Sequence, residues 1–306
     1  MGMTGIRSIL ITVLCLSGCS GFRSFHMGRV DERVSIRPDP IPEDAHYPHA
    51  MAVRISPPWE SEGEWVLRAP ETLGSNRGLL FIDHERPDMV PVTWPRDRLA
   101  WVSDPTGSLG FEMELDMGIA LLVRIVPGKD DMSIEAALVN STGDPLSNMG
   151  FQFCLLHTEV PEFVDRKAER TFVLMNDEFV PLGSTKPGPT EGENPFFIIT
   201  NTWDLDPWAP WEPGRSWFTE EGQADAPLIA TVSKDGKRIV ALAFDNAYKI
   251  MTNCELPCIH ADPALPDCED LGIVRIRGKM YFVEGTLQDV LERFHKDFPE
   301  WRFPER

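Results

Sequence analysis

From Gly110 to Met117 the chain alternates without a slip. Phe111, Met113, Leu115 and Met117 fall on one side of an extended backbone, and Glu112, Glu114 and Asp116 on the other. A period of two puts successive side chains on opposite faces, so the segment reads as a half-buried antiparallel strand. Strand signals recur around it: Glu64–Leu67, the apolar Gly78–Asp83, Ile119–Val126, Met132–Asn140 and Gly150–Leu156, with turn-forming residues at 127–131 and 140–145 between them. Ile229–Ser233 and Arg238–Phe244 read as a hairpin, with Asp235-Gly236 expected to supply a type I′ turn. Ile273–Ile276 and Lys279–Val283 read as a last pair turning at Arg277-Gly278. A single helix follows, capped by Thr286 with Asp289 completing the box, lined by Leu287, Val290, Leu291 and Phe294, and ended by Pro299. Many short strands and one late helix predict an all-β chain, a large antiparallel β-sandwich with a C-terminal helix.

The N-terminus departs from this pattern. Arg7 precedes an apolar run over 8–16 that is too short to span a bilayer, and the run closes on Leu16-Ser17-Gly18-Cys19. That ending resembles the lipobox of bacterial lipoproteins, which implies a signal peptide over 1–18 and a diacylglycerol on Cys19. Ser20 is not the aspartate associated with inner-membrane retention, so the expected place is the cell envelope, anchored by lipid to an outer membrane and facing the periplasm or the exterior. Residues 19–48, with Pro38, Pro40, Pro42 and Pro48, read as a proline-rich tether, and 49–306 as one sandwich domain without an internal linker or repeat. The 306 residues would fit two average domains or one large β domain, and 42% apolar content suffices for a full core. A formal charge of −19 without any Lys/Arg run disfavours nucleic acid, since phosphate would meet like charge.

Residues 121–157, LLVRIVPGKDDMSIEAALVNSTGDPLSNMGFQFCLLH, resemble the central part of galactose-mutarotase-type β-supersandwiches. Those chains alternate two strands, an Asn-x-Thr turn and a strand ending in a functional histidine, and Asn140, Thr142 and His157 match. The resemblance implies a mutarotase-like supersandwich and a sugar ligand. A second segment, Pro257–Cys268 (P-C-x-H-x-D-P…P-D-C), resembles a family of exported bacterial proteins and implies no activity.

Candidate sites follow from residue chemistry. Apart from Cys15 and Cys19, four cysteines remain: Cys154, Cys254, Cys258 and Cys268. In an oxidising compartment they are expected to form disulfides, Cys258 with Cys268 and Cys154 with Cys254. The alternative is zinc held by Cys254, Cys258, His260 and Cys268. The 254–270 loop also gathers His260, Asp262, Asp267, Glu269 and Asp270 between prolines, oxygen-rich enough for calcium or for acid/base work, or else a solvated surface. No other cofactor is expected. His157, at a strand end before Glu159, Glu162 and Asp165, reads as a tunable acid or base or as a loop anchor. With Glu284 and His260 it makes up the candidate catalytic set. Trp203, Trp208, Trp211 and Trp217 lie among acids and prolines. They offer sugar-stacking faces, with Arg170 as a further binding residue, or else they pin a long loop. The nucleophile-elbow, P-loop, HExxH and dinucleotide motifs are absent from the sequence. The expectation is an envelope protein that binds carbohydrate, with modification of the bound sugar left open by the sequence. The rival is a non-catalytic structural or partner-binding lipoprotein.

Overall fold

Alternation in the sequence becomes strand along much of the described part of the chain. The computed structural model describes residues 33–39, 51–82, 100–115, 118–185, 196–199 and 223–301, with 82 and 196–199 by backbone alone. The strands among them are β1 (Ser35–Pro38), β2 (Ala52–Ser56), β3 (Trp65–Ser75), β4 (Gly78–Ile82), β5 (Val102–Ser103), β6 (Leu109–Leu115), β7 (Ile119–Pro127), β8 (Asp131–Asn140) and β9 (Met149–Leu156). They continue as β10 (Thr171–Met175), β11 (Glu178–Pro181), β12 (Phe196–Ile199), β13 (Leu228–Val232), β14 (Arg238–Phe244), β15 (Ala247–Asn253), β16 (Cys258–Leu265) and β17 (Ile273–Glu284), followed by helix α1 (Leu287–Asp297).

These strands build two antiparallel sheets. The first runs β1-β2-β3-β9-β16-β15-β12, with β4 sharing an edge of β3; the second runs β11-β10-β13-β14-β17-β8-β7-β6-β5. Their inner faces supply the main core. Trp65, Phe151, Phe153, Phe244 and Phe282 are fully buried there, and Trp65 meets Phe282 edge-on with ring centroids 5.4 Å apart. The expected alternation is realised over 110–115 in β6, where Leu109, Phe111, Met113 and Leu115 are buried and Glu112 and Glu114 exposed; Asp116 and Met117 lie outside the described residues.

Behind the second sheet, α1 lays Val290, Leu291 and Phe294 over Ile239, Ala241, Ala243 and Tyr281, forming a second apolar cluster. The capping box is present as read: the Thr286 hydroxyl accepts from the Asp289 amide while Asp289 accepts from the Thr286 amide.

Four sequence expectations change. Arg277-Gly278 is not a turn, because β17 is one strand that pairs with β14 on one side and β8 on the other. Gly278 is small for packing: a Cβ there would collide with the Phe244 ring. The Asp235-Gly236 turn is not type I′, which needs two positive φ angles. Only Gly236 has one (+76°), and its amide donates to the Ser233 carbonyl at 3.0 Å, closing a type I turn. Ser35–Pro38, inside the expected tether, is an edge strand on β2. Ile36 packs on the core there, and Pro38, without an N–H to contribute, closes the edge strand. Finally, the expected proline-stiffened loop around His260 is the buried strand β16. Pro263 is accommodated beside an irregularity in β15, where the register shifts between Ala247 and Lys249.

Candidate functional site

The outer face of the first sheet, turned away from the inter-sheet core, carries the unusual chemistry. Register fixes one row across it. Ala52 faces Arg68, Arg68 faces Cys154, Cys154 faces His260, and His260 faces Met251. The same parity that points Phe153, Leu155, Ile259 and Ala261 into the core sends Cys154, Cys258, His260 and Asp262 outward. In β3 the register slips between Arg68 and Thr72, and this irregularity aims Glu71 at the row.

Side chains on this face form a connected chain of charge. Lys249 Nζ lies 3.3 Å from Asp262 Oδ2, an ion pair without the alignment of a hydrogen bond. His260 Nδ1 donates to Asp262 Oδ1 at 3.3 Å. Its Nε2 faces Cys258 Sγ at 3.3 Å and Glu71 Oε2 at 4.0 Å, and Arg68 donates to the other Glu71 oxygen at 3.0 Å. Lys249, His260 and Asp262 are 4%, 2% and 0% exposed, so these are charges held in a dry setting rather than a solvated surface. Burial alone would strip the proton from His260. The Cys154 sulfur and the Asp262 carboxylate outweigh it and hold the imidazole well above its ordinary value. Burial also pushes the Cys154 thiol up, and its contact with Cys258 acts in the same direction.

The other sequence candidates do not converge here. His157 follows β9 on the opposite face of the sheet, against Phe163, with its amide on the Pro257 carbonyl. It is 2% exposed, and burial lowers its pKa to about 4, so it is neutral in the fold. Asn140 and Thr142 close a turn: the Asn140 amide donates to the Asp144 and Cys268 carbonyls, and its oxygen accepts from the Thr142 amide. Glu284 ends β17 in the second sheet, exposed and paired with Arg238 at 3.4 Å. Arg170 donates to the backbone carbonyls of Glu162, Val164 and Val232, which clamps a loop. Trp203, Trp208, Trp211 and Trp217 lie outside the described residues.

The expected disulfides are corrected: Cys154, Cys254, Cys258 and Cys268 are all free. Cys258 opens β16 and Cys268 lies beyond its far end, so the eight-residue strand holds them roughly 20 Å or more apart, against a Cα limit of about 7 Å for a bridge. Cys254 packs on the inter-sheet core while Cys154 faces outward, which rules out the second pair. The same distances disperse the zinc set of Cys254, Cys258, His260 and Cys268. The acids of 254–270 disperse too: Asp262 is buried in β16, whereas Asp267, Glu269 and Asp270 are exposed and Asp270 caps the Gly143 amide.

Sequence reading missed Arg68, Glu71 and Lys249, and it placed Cys154 in the wrong company. A signal was available: each charged residue interrupts an otherwise apolar strand (WVLRAPE, AYKIM), where a solvated charge is out of place. A separate open cleft of about 730 Å³ is lined by Glu60, Ser61, Glu62, Pro161, Glu162, Lys234 and Arg238. Of its charged residues, Glu60, Glu62 and Lys234 are exposed to solvent and Glu162 and Arg238 partly so, and its lining holds no buried titratable cluster.

Neither a family model nor a curated protein matches this chain. Among solved structures it is similar to the Slr1438 protein of Synechocystis sp. PCC 6803, at 10% identity and a TM-score of 0.41, over 78% of this chain and 90% of that one. It is also similar to a galactose mutarotase-like protein from Clostridium acetobutylicum, at 8% identity and a TM-score of 0.37, over 83% of this chain and 100% of that one.

Proposed function

We propose that this protein is an exported, lipid-anchored carbohydrate-binding protein that takes a sugar on the outer face of its first sheet. The observation that carries the reading is the set of alternating charges on that face: Glu71, Lys249 and Asp262 are buried, and Arg68 and, on β9, Gln152 lie alongside partly exposed. Buried ion pairs are often no better for stability than apolar residues of the same volume, so packing alone does not account for them. A polyhydroxylated ring both donates and accepts. Carboxylates that only accept, cations that only donate and an amide that does both meet those demands on one surface. Trp203, Trp208 and Trp211, which lie outside the described residues, are the sequence's candidates for the stacking faces that sugar C–H surfaces need. Cys19 carries the anchor, as the lipobox-like Leu16–Cys19 suggests.

The test is titration of the full chain in detergent with a panel of mono- and oligosaccharides. At least one sugar is expected to bind, and Glu71→Gln and Lys249→Met are each expected to weaken it tenfold or more. Absence of any sugar binding, or undiminished binding in both variants, overturns the reading. The anchor has its own assay. Cys19→Ala is expected to move the protein from the detergent phase to the aqueous phase, and unchanged partitioning removes the lipid from the proposal.

A further inference from the structure

The sulfur-bearing end of the same face has chemistry that sugar binding does not use. Cys154 Sγ, Cys258 Sγ and a His260 ring nitrogen all lie within 4.8 Å of one another, and all three residues are buried. His260 points Nε2 at this group, since Nδ1 is already committed to Asp262. We propose that Cys154, Cys258 and His260 bind a thiophilic divalent ion of the zinc class, with the nearby Glu71 carboxylate available as the fourth ligand.

Three independent features support this. The first is donor chemistry: two thiolates and an imidazole are the soft and borderline ligands that zinc takes in tetrahedral sites. The second is spacing. Metal–sulfur bonds of about 2.3 Å and metal–nitrogen bonds of about 2.0 Å place tetrahedral ligands roughly 3.3–3.8 Å apart. Here Nε2 is 3.3 Å from Cys258 Sγ and 4.0 Å from Glu71 Oε2, so these three ligands need only sub-ångström shifts, and Cys154 Sγ lies within 4.8 Å of Cys258 Sγ and a His260 ring nitrogen. The third is the outer shell. A ligating histidine commonly gives its other ring N–H to a carboxylate, which fixes the ring and raises its basicity. Asp262 does this for His260, and Lys249 in turn holds Asp262. Ala52, Val66 and Leu156 surround the two cysteines and keep that side dry. This ligand set differs from any that the local spacing of 254–268 offers, because Cys154 comes from a strand a hundred residues earlier, brought beside β16 by the sheet. On binding, the ion forms two metal–sulfur bonds and one metal–nitrogen bond. The thiol protons, and the extra imidazole proton, pass to solvent.

The experiment uses the full chain, reduced and stripped with a chelator, without sugar. Cobalt(II) is added as a spectroscopic stand-in, then displaced by zinc in competition with a chromophoric chelator. The expected result is one equivalent bound, with the intense near-ultraviolet charge-transfer absorption of cobalt–thiolate bonds and tetrahedral visible bands, both bleached by zinc. Cys254→Ser and Cys268→Ser should leave the spectrum unchanged. Cys258→Ser and His260→Gln should weaken binding a hundredfold or more, with circular dichroism verifying that each variant is folded. The wild-type spectrum alone decides the matter if a variant does not fold. Absence of thiolate charge transfer in reduced wild type overturns the site, as does its full retention in folded Cys258→Ser. A Cys154–Cys258 disulfide in the non-reduced peptide map of protein taken directly from cells also overturns it. Sugar binding is measured separately on chelator-treated protein, so either proposal can fail without the other.

Discussion

The two faces of the first sheet are built from the same strands and both carry buried side chains, yet they differ in kind. On β9, Phe151, Phe153 and Leu155 point inward while Gln152, Cys154 and Leu156 point outward; on β16, Ile259 and Ala261 point inward while Cys258, His260 and Asp262 point outward. His157 and His260 sharpen the contrast, since each is 2% exposed. His157, against an apolar aromatic wall, has its proton driven off by burial, whereas His260, beside Asp262, keeps one against the same penalty. Burial therefore does not separate core from site in this molecule. The charge that has been paired inside it does.

The contrast can be broken most forcefully by truncation on either face. Phe153→Ala on the inner face is expected to cost about 3–5 kcal/mol in urea unfolding, as a large cavity in the main core. Asp262→Ala on the outer face is expected to cost a similar ~3–5 kcal/mol for a different reason, because it removes the carboxylate that both Lys249 and His260 face in a dry setting. The two mechanisms separate on rescue. Adding Lys249→Met to Asp262→Ala should recover part of the loss, the remainder belonging to the His260 Nδ1–H left without its acceptor, whereas no removal of charge should rescue Phe153→Ala. Additive, unrescued losses on the outer face would mean that Lys249 and Asp262 are not energetically paired.

The pH dependence is next in size. His157 has its pKa depressed to about 4 in the fold from an ordinary 6.5, so its contribution is fully present above about pH 6.5 and is lost as pH falls toward 4. That amounts to about 3 kcal/mol by the linkage relation. Wild type should lose this much more stability than His157→Gln between pH 7 and pH 4. Parallel pH profiles for the two proteins would place His157 in contact with water. The smallest effect belongs to Glu284. Its ion pair with Arg238 is exposed, so Glu284→Gln should change stability by no more than about 0.5 kcal/mol and leave sugar binding intact. A tenfold loss of binding would return Glu284 to the site.

The fold was far more legible in the sequence than the site was, for a physical reason. Strand alternation and helix capping are local, so β6, the β7–β8 pair and the Thr286 cap could be read from adjacent residues. Where reading failed on the fold, tertiary packing had overridden local punctuation: Gly278 resembles a turn glycine but makes room for Phe244, and Pro263 resembles a loop proline but sits in a strand. The site could be read only in part. His260 and Asp262 stood out through their types, while Cys154, Glu71 and Lys249 joined them through strand register, which no local pattern encodes. The cysteines were misassigned because nearness in sequence was taken for nearness in space, and a continuous β16 keeps Cys258 from Cys268.

Strand order in the first sheet also sets a timetable. β9 lies between β3, made early, and β16, made late, and the pairings of Val66 with Leu156 and of Leu156 with Cys258 each close a long loop. Closing such loops is slow compared with forming a hairpin. Until the last third of the chain arrives, one edge of β9 has no partner and Cys154 waits on it without Cys258 or His260. The thiol is shielded by the docking of a strand rather than by its own neighbours. How quickly β16 comes home therefore determines how long that sulfur is open to whatever oxidant the compartment holds.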